Sequence, residues 1–157
     1  MLPELKLPGY SFRIREEKGK TCIFDEIRKK YVALTPEEWV RQHFIFYLSR
    51  DKNYPASLMV VERAVRVNRN LLRADLLVCS RNGCPLLVAE FKAPSVKVSQ
   101  AAFDQLARYN MKLRVPYLVV SNGICHYCCR IDFLRGEYEF LNDIPDFDQL
   151  TGAEMSE

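Results

Sequence analysis

The chain has 157 residues, 48% of them hydrophobic and 27% charged, a composition that excludes an intrinsically disordered protein and supports one domain with a substantial core. Its formal net charge of +3 permits a polyanionic partner without requiring one. No apolar run is long enough to span a membrane, and the N-terminus has no signal-peptide pattern. We therefore expect a cytoplasmic protein with no membrane contact, whose six cysteines stay reduced.

Residues 1–34 are predicted to be an N-terminal extension. Residues 10–15 and 21–27 alternate weakly between apolar and polar around a turn at Gly19, which favours a β-hairpin. The segment is locally basic, and a solvated hairpin explains this property as well as a DNA contact does.

A helix start follows at Thr35. Thr35 can act as the N-cap, Pro36 suits the first helical position, and Glu38 completes a capping box. We expect the helix to run to about Ser49. His43 falls on the apolar face of this helix, where a histidine packed in the core is commoner than a metal ligand.

The rest of the chain alternates between predicted strands and helices: a strand over 58–67, a helix over 99–113, strands over 116–120, 124–133 and 137–141, and a short helix near Phe147. A helix between two buried strands predicts a crossover and a partly parallel sheet. We therefore predict a single-domain α/β fold, a mixed β-sheet flanked by helices, with its core over 35–141 and a polar tail over 142–157.

Residues 73–94 carry the most informative pattern. Two apolar runs flank an Asn-Gly turn, which predicts a hairpin buried on both faces, yet this stretch contains Asp75, Glu90 and Lys92. Residues i and i+2 share a face of a strand, so Glu90 and Lys92 point the same way, with Asp75 near the end of the neighbouring strand. Two carboxylates repel unless a cation lies between them, and oxygen ligands suit Mg²⁺. An exposed ion pair at a strand end is the alternative.

Four short segments occur in order on these elements: Glu38 to Gln42 in the first helix, Arg73 to Asp75, Glu90 to Lys92, and Gln105 to Tyr109 in the second helix. Together they resemble the PD-(D/E)xK nuclease superfamily and, more narrowly, the N-terminal nuclease domain of type I restriction enzyme R subunits. The resemblance covers about residues 35 to 130. It implies a restriction-endonuclease-like fold and hydrolysis of DNA phosphodiesters with Mg²⁺, for which Mn²⁺ substitutes.

The resemblance also assigns roles to individual residues. It implies a metal site at Asp75, Glu90 and Glu38, although Glu37 is left open as the acid in place of Glu38. It implies a catalytic set of Asp75, Glu90, Lys92, Gln105 and Tyr109. Gln105 and Tyr109 share one helical face; the alternative is that Tyr109 packs against nearby leucines and Gln105 is solvated.

Candidate DNA contacts lie on or beside the strand that leads into the hairpin: Arg63, Arg66, Arg69 and Arg73. An ordinary charged strand face explains them equally well. The sequence contains no helicase motor and no Gly-rich Lys-Ser/Thr loop. We therefore expect a free-standing DNA endonuclease for restriction, defence or repair, and leave open whether it acts with partner subunits or as a homodimer. The alternative function is a non-catalytic nucleic-acid- or protein-binding module that retains the fold.

Cysteines cluster at Cys125, Cys128 and Cys129. A Cys-x-x-Cys half-site needs a second pair of ligands to hold structural zinc, and the sequence offers no such pair nearby. Small apolar cysteines in a buried strand are the favoured interpretation.

Overall fold

This computed structural model describes residues 2–67 and 69–154. A six-stranded sheet forms its centre. The elements in chain order are β1 (Ile14–Glu17), β2 (Lys20–Asp25), β3 (Lys30–Ala33), α1 (Pro36–Phe46), β4 (Met59–Val61), β5 (Ala64–Val67), β6 (Asn70–Arg73), β7 (Leu76–Cys79), β8 (Pro85–Phe91), α2 (Gln100–Leu113), β9 (Tyr117–Ser121), β10 (His126–Asp132), β11 (Glu137–Leu141) and α3 (Phe147–Glu154). None of the helices within those described ranges has the length and apolar character needed to cross a bilayer.

The central sheet has the order β11-β10-β9-β8-β7-β4. The pair β8–β9 is parallel and is joined by a crossover through α2, whereas the other neighbours are antiparallel. This confirms the predicted mixed sheet flanked by helices. Two smaller units lie beside it, a three-stranded sheet β1-β2-β3 and the hairpin β5–β6.

The hairpin β7–β8 is buried on both faces, as predicted. Leu76 and Phe91 belong to the core cluster on the α1 side of the sheet, whereas Leu77 and Val88 belong to the cluster on the α2 side. Each fully buried leucine contributes about 1.5–3 kcal/mol relative to an exposed one. The two ends of this hairpin are therefore fixed by packing from both layers.

The first helix begins where the capping pattern predicts. The Thr35 hydroxyl accepts a hydrogen bond of 3.1 Å from the Glu38 backbone N–H. The helix continues as a π-helical turn over Tyr47–Asp51, close to the predicted end at Ser49. His43 is buried, with its ring 4.2 Å from that of Trp39, and burial lowers its pKa, so the predicted core histidine is confirmed.

Two elements differ from the prediction. The strand expected over 58–67 is broken at Glu62, whose φ of +51° turns the chain from β4 into β5. The N-terminal extension contains the expected hairpin, β1–β2, and extends it by a third strand, because residues 30–33 pair with β2. The boundaries at 1–34, 35–141 and 142–157 remain predictions.

The cysteine pattern fits a buried strand. Cys128 and Cys129 point to opposite faces of β10, one into each core cluster, and burial raises the pKa of both thiols to about 12. Cys125 lies before the strand and is exposed. Neutral thiols on opposite faces are unsuited to a shared zinc ion.

Candidate active site

Asp75 and Glu90 lie side by side at one end of the hairpin. The register pairs Leu76 with Ala89, so Asp75 is opposite Glu90 one step further along the two antiparallel strands. The Asp75 Oδ2 atom accepts a hydrogen bond of 2.7 Å from the Phe91 backbone N–H. Both carboxylates are half-buried, and the sheet that carries them is fixed by its core.

The proximity of these two carboxylates shifts the acidity of Glu90. Burial, followed by the negative charge of Asp75 and a hydrogen bond with Asp75, raises the pKa of Glu90 to about 8, and the charges of Lys92 and Arg41 oppose the shift. Glu90 therefore retains a proton near neutral pH in the metal-free protein. A cation between the carboxylates would replace that proton.

Lys92 follows directly after β8 and is exposed. Its backbone N–H donates to the Ser121 carbonyl at 2.9 Å, which continues the contact between β8 and β9. Phe91, between Glu90 and Lys92, packs into the core with its ring 5.2 Å from that of Phe44. The alternation leaves Glu90 and Lys92 on the opposite side of the strand from Phe91.

The chemistry of this donor set fits a hard cation. Mg²⁺ is commonly held by one or two carboxylates and keeps several waters, and Asp75 with Glu90 supplies two adjacent carboxyl groups that can bind it once Glu90 loses its proton. Within residues 2–67 and 69–154, no group of three or more His, Cys, Asp or Glu side chains is arranged to hold a metal ion. The candidate site therefore offers the carboxyl groups of Asp75 and Glu90.

Glu38 is not brought to that pair. Its carboxylate is buried in ion pairs with the guanidinium of Arg28 and with Arg41 Nε at 2.7 Å. Burial raises the pKa of Glu38, and the charges of Arg41 and Arg28 oppose the rise. Glu37 is exposed on the first turn of α1. The expected third metal ligand is therefore engaged by two arginines.

Sequence reasoning missed two residues beside the site, Arg41 and Glu62. Arg41 Nη2 donates to Glu62 Oε1 at 3.0 Å, and Arg41 Nη1 lies 3.4 Å from the backbone carbonyl of Asp75. These contacts join residues 21 and 34 positions apart. A helical arginine carries no local signal for such partners.

Gln105 and Tyr109 lie on an exposed face of α2. The Tyr109 hydroxyl donates to the backbone carbonyl of Leu71 at 3.1 Å, which fastens β6 to the helix. Its catalytic role and that of Gln105 remain predictions.

The four candidate DNA contacts are all exposed and lie on or beside the hairpin β5–β6: Arg63, Arg66, Arg69 and Arg73. The register pairs Ala64 with Arg73, so Arg66 and Arg73 share one face of the hairpin. The buried residue Leu72 occupies the other face and packs in the α2-side core. The outer face therefore presents guanidinium groups to solvent beside the carboxylate pair.

Comparisons with known proteins agree with this fold. The family model described as Type I restriction enzyme R protein N terminus (HSDR_N) matches residues 36–145. A solved fragment assigned to the HsdR subunit of a type I restriction enzyme from Vibrio vulnificus is similar with a TM-score of 0.55 and 21% identity, over 78% of this chain. This chain spans only 26% of that one. No curated protein matches.

Proposed function

The chain belongs to the family of type I restriction enzyme R protein N-terminal domains, and from this premise we propose that it is a Mg²⁺-dependent nuclease of a restriction system. Its substrate is a DNA phosphodiester, and its fold belongs to the PD-(D/E)xK superfamily. The observation that carries the proposal is the Asp75–Glu90 pair, with its raised Glu90 pKa and with Lys92 two residues along the same strand end. Two adjacent, half-buried carboxyl groups that raise the pKa of one of them are unfavourable in a purely structural sheet.

In the proposed mechanism Asp75 and Glu90 would hold the metal, which would polarise the phosphoryl oxygen and lower the pKa of bound water. Asp75 is held in place by the Phe91 N–H, so its carboxylate is oriented before the metal binds. Lys92 holds the attacking water and balances the negative charge that develops in the transition state. Arg66 and Arg73 on the outer face of β5–β6 bind backbone phosphates.

Plasmid nicking with Mg²⁺ or Mn²⁺ tests this function. We expect Lys92→Ala to lower the cleavage rate constant by about 10² to 10³, the range for loss of one group that stabilises developing negative charge. Gel-shift affinity for the same plasmid fragment in Ca²⁺ should change little. Lys97→Ala is the matched control, because Lys97 is an exposed lysine in the loop that follows the strand.

Equal cleavage by Lys92→Ala and Lys97→Ala contradicts the assigned role of Lys92. A wild-type chain that binds DNA with a salt-dependent affinity but never cuts supports the second candidate, a non-catalytic binding module. The ion pairs of Glu38 with Arg28 and Arg41 support that candidate, because they leave Asp75 and Glu90 as the acidic residues at the site.

A further inference from the structure

Five charged residues form a partly buried cluster at the same end of the central sheet as the carboxylate pair. We call this the charge cluster: Asp25, Arg28, Glu38, Arg41 and Glu62. It joins three parts of the fold, namely the N-terminal sheet, α1 and the bend between β4 and β5. Buried ion pairs add little net stability, because desolvation offsets their attraction. Stability alone is therefore a weak explanation for the cluster.

The cluster is fixed at its N-terminal end by Asp25. This side chain is fully buried and accepts hydrogen bonds from the backbone N–H groups of Ile27 and Arg28, at 2.8 and 2.9 Å, and from Arg28 Nε at 2.6 Å. The Arg28 guanidinium is thereby aimed across to α1 and β4, where it meets Glu38 and lies 3.2 Å from Glu62 Oε2.

Arg41 connects the cluster to the candidate active site. It is buried, with Glu38 on one side and Glu62 on the other, and Nη1 points at the Asp75 carbonyl at 3.4 Å. The Glu38–Arg41 pair is close at 2.7 Å, yet Glu38 Oε2 and Arg41 Nε lack hydrogen-bond geometry. The Arg41 guanidinium is therefore oriented towards Glu62 and the Asp75 carbonyl, and this orientation does not allow a well-aligned hydrogen bond with Glu38.

Glu62 lies beside Asp75 by strand register. Val61 pairs with Leu76, so the bend at Glu62 is adjacent to Asp75 at the same strand ends. The left-handed backbone of Glu62, with φ of +51°, is unfavourable for a residue with a side chain. Two arginines hold Glu62 in this conformation, and the bend that they hold starts the hairpin leading into Asp75.

We propose that Arg41 is a positioning residue for the candidate metal centre, acting through the backbone carbonyl of Asp75. Arg28 extends this support to the N-terminal sheet, which lies outside the residues matched by the family model, 36–145. In this proposal residues 20–33 help to position the candidate metal centre. The catalytic half of this inference rests on the proposed function.

A matched pair of arginine-to-lysine substitutions in the whole chain tests the role. Arg41→Lys keeps the charge but loses the planar fork that reaches Glu62 and Asp75 together. Arg50→Lys is the control, because Arg50 lies on the same helical stretch, stacks 4.1 Å from the Phe46 ring and is 4.0 Å from Glu26, outside the charge cluster.

We expect Arg41→Lys to lower the single-turnover cleavage rate constant at saturating DNA by about 10- to 100-fold, as for residues that support a metal ligand. The DNA dissociation constant should change less than about twofold in the same variant, since Arg41 makes no phosphate contact in this proposal. Arg28→Lys should lower the same rate constant less, and it serves as the second variant if Arg41→Lys fails to fold. Arg50→Lys should cleave as wild type.

Amide hydrogen exchange in the metal-free protein gives a readout that needs no activity. The Phe91 N–H is bonded to Asp75 Oδ2, so a displaced Asp75 should raise Phe91 exchange by about tenfold, or about 1.4 kcal/mol of lost protection. The Leu118 and Val120 amides in the same sheet should stay protected.

Unchanged cleavage together with unchanged Phe91 exchange in Arg41→Lys overturns the inference. A variant that loses only DNA affinity also overturns it, because Arg41 is then a phosphate contact. If the wild type never cleaves, the proposed function fails, and Phe91 exchange alone still decides whether Arg41 positions Asp75.

Discussion

The Asp75 carboxylate accepts its hydrogen bond from the backbone of Phe91, the residue between the two other charged groups of the candidate site. This bond joins the residue before β7 to the last residue of β8, next to the point where Glu90 leaves the core. It also leaves Asp75 with its other oxygen free to meet Glu90 or a cation. The acidity of Glu90 and the stability of the hairpin end are therefore linked.

We predict that Glu90→Gln stabilises the metal-free protein at alkaline pH. The folded-state pKa of Glu90 is about 8, above its ordinary value of 4.5, so the stability associated with its proton is fully present below that ordinary value and is lost as pH rises through about 8. The melting temperature of Glu90→Gln should exceed that of wild type by about 3 °C or more at pH 9, the shift expected for about 1 kcal/mol in a chain of this size. The two proteins should converge near pH 5.

Glu137→Gln, an exposed glutamate on β11, is the control and should melt as wild type at every pH. Addition of Mg²⁺ at pH 9 should raise the melting temperature of wild type but not that of Glu90→Gln. A wild-type melting temperature that does not fall between pH 5 and 9 relative to Glu90→Gln contradicts the assignment.

We predict that Asp25→Asn destabilises the fold by about 3 kcal/mol or more, because it removes the fully buried carboxylate to which Arg28 donates and leaves Arg28 paired only with Glu38 and Glu62. Burial raises the pKa of Asp25, but hydrogen bonds and charge from Arg28 outweigh this and hold the pKa below its usual range. The stability that the carboxylate contributes is present above the ordinary pKa and is lost as pH falls through the folded-state value. Urea unfolding at pH 7 measures the loss.

Glu26→Gln is the neighbouring control for Asp25→Asn. Glu26 is exposed and its contact with Arg50 is 4.0 Å long, so its replacement should cost less than about 1 kcal/mol. Similar losses for the two variants would show that Asp25 contributes no more than a surface charge.

We predict that Gly123→Ala is more damaging than Gly136→Ala. Both glycines have left-handed φ values, +86° and +66°, so both variants carry about 1–2 kcal/mol of backbone strain. An added Cβ at Gly123 would lie 2.7 Å from Leu5 Cδ2 and 3.1 Å from Val40 Cγ2, whereas at Gly136 it meets open space. Overpacking should therefore add about 1–3 kcal/mol at Gly123 alone, measured as the difference between the two urea midpoints.

Deletion of the Leu5 side chain offers the reciprocal experiment. In a Leu5→Ala background the closest contact at Gly123 is removed and the 3.1 Å contact with Val40 Cγ2 stays, so the difference between Gly123→Ala and Gly136→Ala should become smaller. A difference that stays undiminished in this background assigns the effect to something other than Leu5.

We predict that Arg66→Gln reduces the salt dependence of DNA binding. Each lost phosphate contact lowers the slope of log affinity against log salt by about 0.9, and Arg66 lies on the exposed face of β5–β6 beside the site. Arg135→Gln, on the exposed turn before β11, should leave the slope unchanged. Equal slopes for wild type, Arg66→Gln and Arg135→Gln would remove Arg66 from the DNA-binding surface.

Local sequence signals predicted the elements that position the carboxylate pair. The Asn-Gly turn predicted the β7–β8 hairpin, Thr35 and Pro36 predicted the start of α1, and a helix between two apolar strands predicted the parallel pair β8–β9. Each of these features depends on residues within a few positions, or on the handedness of a crossover.

The charge cluster could not be predicted in the same way. Glu38 has a sufficient local explanation as a capping-box residue, yet its carboxylate is held by Arg28, ten residues earlier, and by Arg41. Glu62 interrupts a β-branched run that otherwise predicts a continuous strand, and its conformation depends on arginines from two other elements. Such residues are selected by tertiary contacts, which composition and periodicity do not encode.

The contact between Lys6 and the turn before β10 has a consequence for folding during synthesis. The Lys6 carbonyl lies 2.7 Å from His126 Nε2, a residue 120 positions later, and the Lys6 N–H donates to the Gly123 carbonyl at 2.9 Å. A nascent chain must keep this segment undocked until β10 has emerged from the ribosome. Until then the ring of Trp39, whose indole N–H donates to the Pro3 carbonyl of the docked segment at 3.0 Å, stays available to chaperones and to other nascent chains.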